Sequence, residues 1–247
     1  MPAISSVAIV ATPNRHKIAC FDAPLSVSMP GSFTVFDTLS RQLVQWIAPQ
    51  RVVDFGAGAG KYGSLLRGAA PGCRTVAVEP QSRYVEQFGL RALYDEVHVE
   101  AADQWMANHL DSAFDLAILG DCLTHMPKSV GLDLLNALAY RAAYTLVVVP
   151  EFIVQGSVDG VAGEAHVSVW SERDLHWHDL WAWDNCRTTS FFLLRGYLPA
   201  PVPLADLVQR VNASQLPVHE FHDPASFVRP ARLRLVEHPR ETLYRPA

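Results

Sequence analysis

The sequence predicts an α/β fold: a mostly parallel sheet with an antiparallel hairpin at one end and helices on both faces. Three observations carry this expectation. Between Arg51 and Pro150, strand-like and helix-like segments alternate, the pattern of parallel strands joined by helical crossovers. The runs Leu180 to Asp184 and Ser190 to Leu194 are separated by a short connection, which permits antiparallel pairing but not a parallel crossover. The stretch "RVVDFGAGAGKYG", Arg51 to Gly63, passes from an apolar run through an acid and alternating glycines into a helix start. Such a turn lets backbone approach a ligand and aims free N–H groups at it.

The elements follow in order. Residues 1–32 are rich in Ser, Pro and Ala, contain one β-like run at Val7 to Ala11, and end at the breaker pair Pro30-Gly31; they are expected to form an N-terminal arm. Apolar residues at Phe36, Leu39, Leu43, Trp46 and Ile47 recur with a helical period until Pro49 closes the segment. Strands are predicted at Arg51 to Phe55, Thr75 to Glu79, Glu96 to Glu100, Asp115 to Gly120 and Tyr144 to Pro150. Helices fit between them at Lys61 to Gly68, Gln81 to Phe88, Asp103 to Leu110 and Lys128 to Ala142. A loop bearing Gly156, Gly160 and Gly163 then leads to the hairpin. The core is expected over residues 33–199, with 200–247 as a proline-spaced, Arg-bearing extension without clear periodicity.

Composition bounds the function. With 247 residues and 49% hydrophobic content, the chain can bury a full core. A formal charge of -5 gives no field to attract a polyanion, so nucleic acid is disfavoured as a partner. The basic tint of Arg229, Arg232, Arg234, Arg240 and Arg245 is interleaved with Glu237 and Glu241, as in a solvated or self-packed surface. Cys20, Cys73, Cys122 and Cys186 are widely spaced with no Cys-x-x-Cys pair, which speaks for free thiols and against a zinc site or a disulfide framework. His176 and His178 read as surface residues without the companions of a metal site. There is no apolar run of about 18 residues and no leader-like N-terminus, so a cytoplasmic protein without a membrane partner is expected.

The glycine turn admits two cofactor classes. Gly58, Gly60 and Gly63 satisfy G-x-G-x-x-G, and Glu79 lies about 20 residues on, as in dinucleotide-binding folds. Asp54 stands immediately before the turn, where a carboxylate opposes a pyrophosphate and favours a cation. S-adenosylmethionine carries a sulfonium and an amino group and no phosphate, and suits that acid.

The segment "VVDFGAGAGKYG" resembles the first motif of the class I S-adenosylmethionine-dependent methyltransferase family, with Asp54, Gly56, Gly58 and Gly60 on its acid-x-Gly-x-Gly-x-Gly positions. "VAVEP" looks like that family's second strand, ending in a ribose-binding acid, Glu79, beside Pro80. "FDLAILGDCLTHM" looks like the fourth strand and its loop, bringing Gly120, Asp121 and His125 to the cofactor. The resemblance covers roughly Phe36 to Leu198. It implies a Rossmann-like seven-stranded sheet of order 3-2-1-4-5-7-6, S-adenosylmethionine as cofactor with S-adenosylhomocysteine as product, and Ala57 and Tyr62 as further cofactor contacts in the turn. After the third strand, Ala101 falls where the family often has an acid for the adenine amine; Asp103 either substitutes or caps the next helix.

Methyl transfer to a hydroxyl needs an aligned acceptor and a base. His125, in the loop after the fourth strand, is one candidate; packing or a hydrogen-bonding hinge is its other reading. His166, in "GEAHVSVW" after the glycine-bearing loop, is the second, and that segment loosely resembles a stretch in bacterial methyltransferases of small molecules and glycans. Glu164 and Trp170 are candidates for the same pocket, though a tryptophan in Trp170's place is more often core than cofactor contact. Gly120-Asp121-Cys122 is neither the amino-methylating DNA motif nor a Pro-Cys nucleophile, so DNA base methylation is disfavoured. The expected function is methylation of a small molecule or sugar, on oxygen, with the arm and extension shaping the acceptor site or a homodimer contact. A non-catalytic cofactor-binding module and a nicotinamide-dependent oxidoreductase are the alternatives; Asp54 and the closing hairpin oppose the latter.

Overall fold

The computed structural model of the protein describes residues 33–151, 153–186, 189–219 and 228–238. The expected arm at 1–32, with its run Val7 to Ala11, lies outside the described residues, as do Cys20, Arg240 and Arg245. Helix α1 (Asp37–Ile47) buries Leu39, Leu43, Val44 and Ile47 on one stripe and ends at Ala48, left-handed at φ 48°, whose N–H caps the Val44 carbonyl. Pro49 follows and cannot continue the helix.

Strand β1 (Arg51–Phe55) lies between β2 (Arg74–Val78) and β4 (Phe114–Gly120); β3 (Glu96–His98) adds to β2 and β5 (Ala142–Pro150) to β4, every pairing parallel. The crossovers are α2 (Lys61–Ala69), α3 (Ser82–Gln87) with α4 (Leu90–Leu93), α5 (Ala102–Asn108) and α6 (Lys128–Arg141). The closing hairpin is present: β7 (Thr189–Arg195) runs antiparallel between β5 and β6 (Leu180–Cys186).

The strand count needs correction. Among the described residues the sheet has eight strands, not seven, because the C-terminal segment supplies another at the β6 edge. That segment forms α7 (Leu204–Ser214), a small antiparallel pair of β8 (Pro217–His219) and β9 (Val228–Pro230), and β10 (Arg234–Glu237), which pairs antiparallel with β6. Leu204, Leu207, Val208 and Val211 of α7 are buried with a regular helical period, a signal the prolines on either side obscured. Strand β10 has four residues, none fully buried, so no apolar run announces it.

The strands are apolar on both faces because both are covered. Val52, Leu116, Ile118, Leu146 and Leu193 join one core layer with α1, α2 and α7. Their neighbours Val53, Ala117, Leu119, Val147 and Leu194 join another with α5 and α6, the two-residue alternation of a strand. Trp181 is buried in this second layer, and Trp177 and Trp183 pack against it. His178, expected on the surface, is instead buried, with Nε2 2.9 Å from the Arg195 carbonyl oxygen.

Asp184 of β6 ties the C-terminal segment down. Its carboxylate accepts from Arg229 Nη1 at 3.0 Å and Nη2 at 2.9 Å, and from Arg232 N–H at 2.9 Å. The Arg229 pair is bidentate and largely shielded from water, at 19% and 8% side-chain exposure, so it is not the weak surface kind. Replacing Asp184 with Ala leaves the guanidinium only the Pro230 and Asn185 carbonyls and is expected to cost about 3 kcal/mol, read as a lower urea midpoint together with faster proteolysis after Pro199.

Candidate active site

A cavity of about 390 Å³ opens at the carboxyl ends of the parallel strands, where open α/β sheets hold their ligands. Its floor is the glycine turn between β1 and α2. Gly56 has φ 69° and donates its N–H to the Val78 carbonyl at 2.8 Å, joining the turn to β2. A Cβ on Gly56 would stand 3.1 Å from Cys122 Cβ and Sγ, so conformation and space both demand glycine here. Gly58 donates its N–H to Glu79 Oε2 at 2.8 Å, and Gln81 donates its N–H to Oε1 at 2.8 Å. Burial raises the Glu79 carboxyl, and these two amides oppose the rise. Each oxygen keeps a further lone pair for a ligand hydroxyl.

Not every residue expected at the cofactor reaches the cavity. Gly56, Ala57, Gly58, Tyr62, Glu79, Pro80, Asp103, Gly120 and Asp121 line it. Gly60 does not: it begins α2 at φ 77°, and its missing side chain makes room for Leu93, whose Cδ1 would lie 2.5 Å from a Cβ. Asp54 also stands behind the wall, only 1% exposed. The expectation that it faces a cationic ligand is corrected to a buried role. Its Oδ2 accepts from the Tyr94 hydroxyl at 2.5 Å, and that hydroxyl accepts from the Gly63 N–H at 2.8 Å. Desolvation pushes the Asp54 carboxyl up to about 7, with the Tyr94 bond working against the shift.

Asp103 does not cap α5. Ala101 occupies the N-cap position with no side-chain bond, and Asp103 sits in the first turn with its residue in the cavity wall. Asp121 adopts a left-handed backbone at φ 57°, a strained state for a residue other than glycine. Its Oδ2 accepts from the Phe33 N–H at 2.9 Å, and burial pushes its carboxyl up to about 7, opposed first by Lys61. Lys61 Nζ in turn donates to the Phe33 carbonyl and to Asp37 Oδ1, both at 2.8 Å. Gly120 lies against Tyr62; a Cβ there would be 2.0 Å from ring atom Cε2.

The two histidines meet in the same cavity. His125 ends a short 3₁₀ turn, Leu123–His125, before α6, and its ring centroid is 5.0 Å from that of His166 in an edge-to-face arrangement. His166 Nδ1 lies 2.8 Å from the Ile153 carbonyl oxygen, and His125 Nδ1 lies 3.4 Å from that of Ala165. A carbonyl only accepts, so Nδ1 carries the hydrogen and the neutral ring keeps its lone pair on Nε2. Burial lowers the His125 pKa, and the nearby Glu164 charge partly restores it. Glu164 lines the cavity. Trp170 does not: it is core, donating Nε1–H to the Leu123 carbonyl at 3.1 Å and to Ser168 Oγ at 2.8 Å, with its ring against Gly131.

Sequence reasoning missed Lys61, Gln155, Met126 and Phe33 in the wall and Tyr94 behind it. Lys61 follows Gly60 directly and was legible. Tyr94 is 40 residues from Asp54, and nothing local marks it.

No family model matches the chain, and no curated protein matches it. Among solved structures, a SAM dependent methyltransferase from Archaeoglobus fulgidus aligns over 68% of this chain and 96% of its own, at 13% identity and a TM-score of 0.52. The N-terminal domain of EvdMO1, crystallised in the presence of SAH and D-fucose, aligns over 67% of this chain and 84% of its own, at 12% identity and a TM-score of 0.50. A Nostoc punctiforme protein provisionally described as an O-methyltransferase aligns over 64% of this chain, at 15% identity and a TM-score of 0.48, and the match spans 55% of that protein. The likeness is one of fold: this chain has the class I S-adenosylmethionine-dependent methyltransferase architecture, extended by one strand.

The buried acid behind the turn has a pH signature. The folded protein holds a proton on Asp54 up to about pH 7, which an unfolded aspartate releases near 3.9. Between these values the folded state binds more protons, so this group makes stability fall as pH rises and level off above 7. Asp54→Asn is expected to flatten the decline by on the order of 3 kcal/mol between pH 4.5 and 8, measured by urea unfolding at each pH.

Proposed function

We propose that the protein is an S-adenosylmethionine-dependent methyltransferase acting on the oxygen of a small-molecule or glycan acceptor. The observation that carries this reading is Glu79, a buried carboxylate with one backbone amide on each oxygen, in the cavity that His125 and His166 also line. The residues present fit the cofactor. Glu79 would offer acceptors to both ribose hydroxyls, the glycine turn permits close approach, and Asp103, which lines the cavity, would meet the adenine amine. Gly120, Asp121 and Tyr62 would flank the amino-acid end. The wall carries Glu79, Asp103 and Glu164 against Lys61, whose ammonium is engaged by Phe33 and Asp37, while Asp121, its carboxyl pushed up to about 7, adds less than a full charge. That balance favours a cation over a pyrophosphate.

When bound, the cofactor supplies an electrophilic methyl group on sulfur. The chain aligns the acceptor oxygen and removes its proton. His166, its Nδ1 fixed by the Ile153 carbonyl, presents Nε2 as the base, and His125 is the neighbouring group that shares the proton. Glu164 offsets the positive charge formed on the imidazole. The EvdMO1 domain was crystallised with SAH and D-fucose, which supports including sugars among the acceptors screened.

Calorimetric titration with S-adenosylhomocysteine beside NADH tests the cofactor class. Binding of the first alone is expected; binding of NADH alone overturns the reading. Glu79→Ala is expected to weaken S-adenosylhomocysteine at least 30-fold, about 2 kcal/mol, because it also strands two amides. Once an acceptor is found, His166→Ala and His125→Gln should lower kcat by about 10²-fold or more, and unchanged turnover removes that residue as base. Lowering of the His125 pKa predicts an acid limb of activity below pH 6.5 in the parent enzyme.

A further inference from the structure

The segment from Ile153 to His166 crosses the mouth of the cavity. At its base, the His166 N–H donates to the Gln155 carbonyl at 3.0 Å, Gln155 Nε2 donates to the Glu164 carbonyl at 2.6 Å, and His166 Nδ1 meets the Ile153 carbonyl. Beyond the base the chain makes a tight hairpin tip. Val158 and Val161 exchange both backbone bonds, at 3.3 and 2.8 Å, across Asp159 and Gly160, left-handed at φ 49° and 76°. Two successive left-handed residues are the mark of a two-residue hairpin turn.

The tip lands on the opposite wall, at α3, directly after the Glu79 carboxylate. Arg83 Nη1 donates to the Asp159 carbonyl at 3.3 Å. A Cβ on Gly163 would lie 3.1 Å from Gln81 Nε2, and the nearby Glu164 carboxylate helps raise the Tyr84 hydroxyl pKa. Gln155, Val158, Gly163, Glu164 and His166 thus cover a cavity whose other side is Glu79, Pro80 and Gln81. No backbone pairing joins tip and α3 among the described residues; side chains hold the closure.

We propose that Arg83 is a positioning residue: by latching the tip of the 153–166 strap it closes the cofactor end of the cavity and sets His166, at the strap's base, over the acceptor end. The inference rests on the cofactor reading above. It follows that cofactor exchange requires release of the latch, and that release displaces His166.

The test measures S-adenosylhomocysteine exchange, which needs no acceptor. Stopped-flow competition on the full chain is expected to show dissociation about three- to tenfold faster in Arg83→Ala, the range for one exposed charge-assisted hydrogen bond. The melting temperature should stay unchanged, and Arg83→Lys, which can still donate to a carbonyl, should restore slow release. Hydrogen exchange of peptides spanning 153–166 should slow on ligand addition in the parent and less so in Arg83→Ala. If the parent binds S-adenosylhomocysteine and Arg83→Ala leaves both the dissociation rate and strap protection unaltered, the latch is overturned while the cofactor reading stands. If the parent does not bind it, both are overturned.

Discussion

The site depends on one buried hydroxyl. Tyr94, from the short connection before β3, donates to Asp54 at the end of β1 and accepts from Gly63 in the first turn of α2. These two elements flank the glycine turn, so one side chain fixes the angle at which the chain leaves the sheet and enters the helix. Glycines allow the turn but do not hold it; their freedom must be restrained by something else. Here the restraint comes from the far side of the turn, while Glu79 restrains the near side through Gly58. The ligand-facing surface is thereby fixed from both directions before any ligand arrives, which lowers the ordering cost of binding.

Local chemistry made much of this legible in the sequence. Strand β1 matches its expected bounds, and the other core strands differ by a few residues at their ends. Strands β1, β2, β4 and β5, buried on both faces, appear as largely apolar runs. The glycine turn and Glu79 were also readable because each stands at the end of such a run. What escaped reading was non-local. Tyr94 has meaning only through partners on other elements, and β10 becomes a strand only because β6 offers it an edge. His178 gives no sequence sign that it will be carried inward against Arg195. Asp54 was rightly singled out as unusual but was given the wrong neighbour, since a sequence shows that an acid precedes the turn and not which way its side chain points.

The acids around the cavity illustrate how burial sets charge. Asp54 and Asp121 are both held well above the usual carboxylate range by loss of water. Glu79 is raised by burial too, and the Gly58 and Gln81 amides oppose the rise by stabilising its ionised form. Burial raises each of these carboxyls, and the donors that reach it work against the rise.

The place of β7 has a consequence for how the chain can be built. Strand β6 precedes it in sequence, yet β6 touches only β7 and β10 in the sheet, and both come later. A growing chain that ends at Cys186 has made β6 with no strand beside it, and has left one edge of β5, buried along its whole length in the finished fold, open to water. Synthesis proceeds from the N-terminus and earlier parts fold first. The parallel half can assemble while the remainder is still emerging, but the free edge of β5 is covered only when β7 arrives. Strand β7 is therefore the wedge of this architecture, and a chain cut short before β10 leaves the outer edge of β6 unpaired, an open edge of the kind that pairs with other chains.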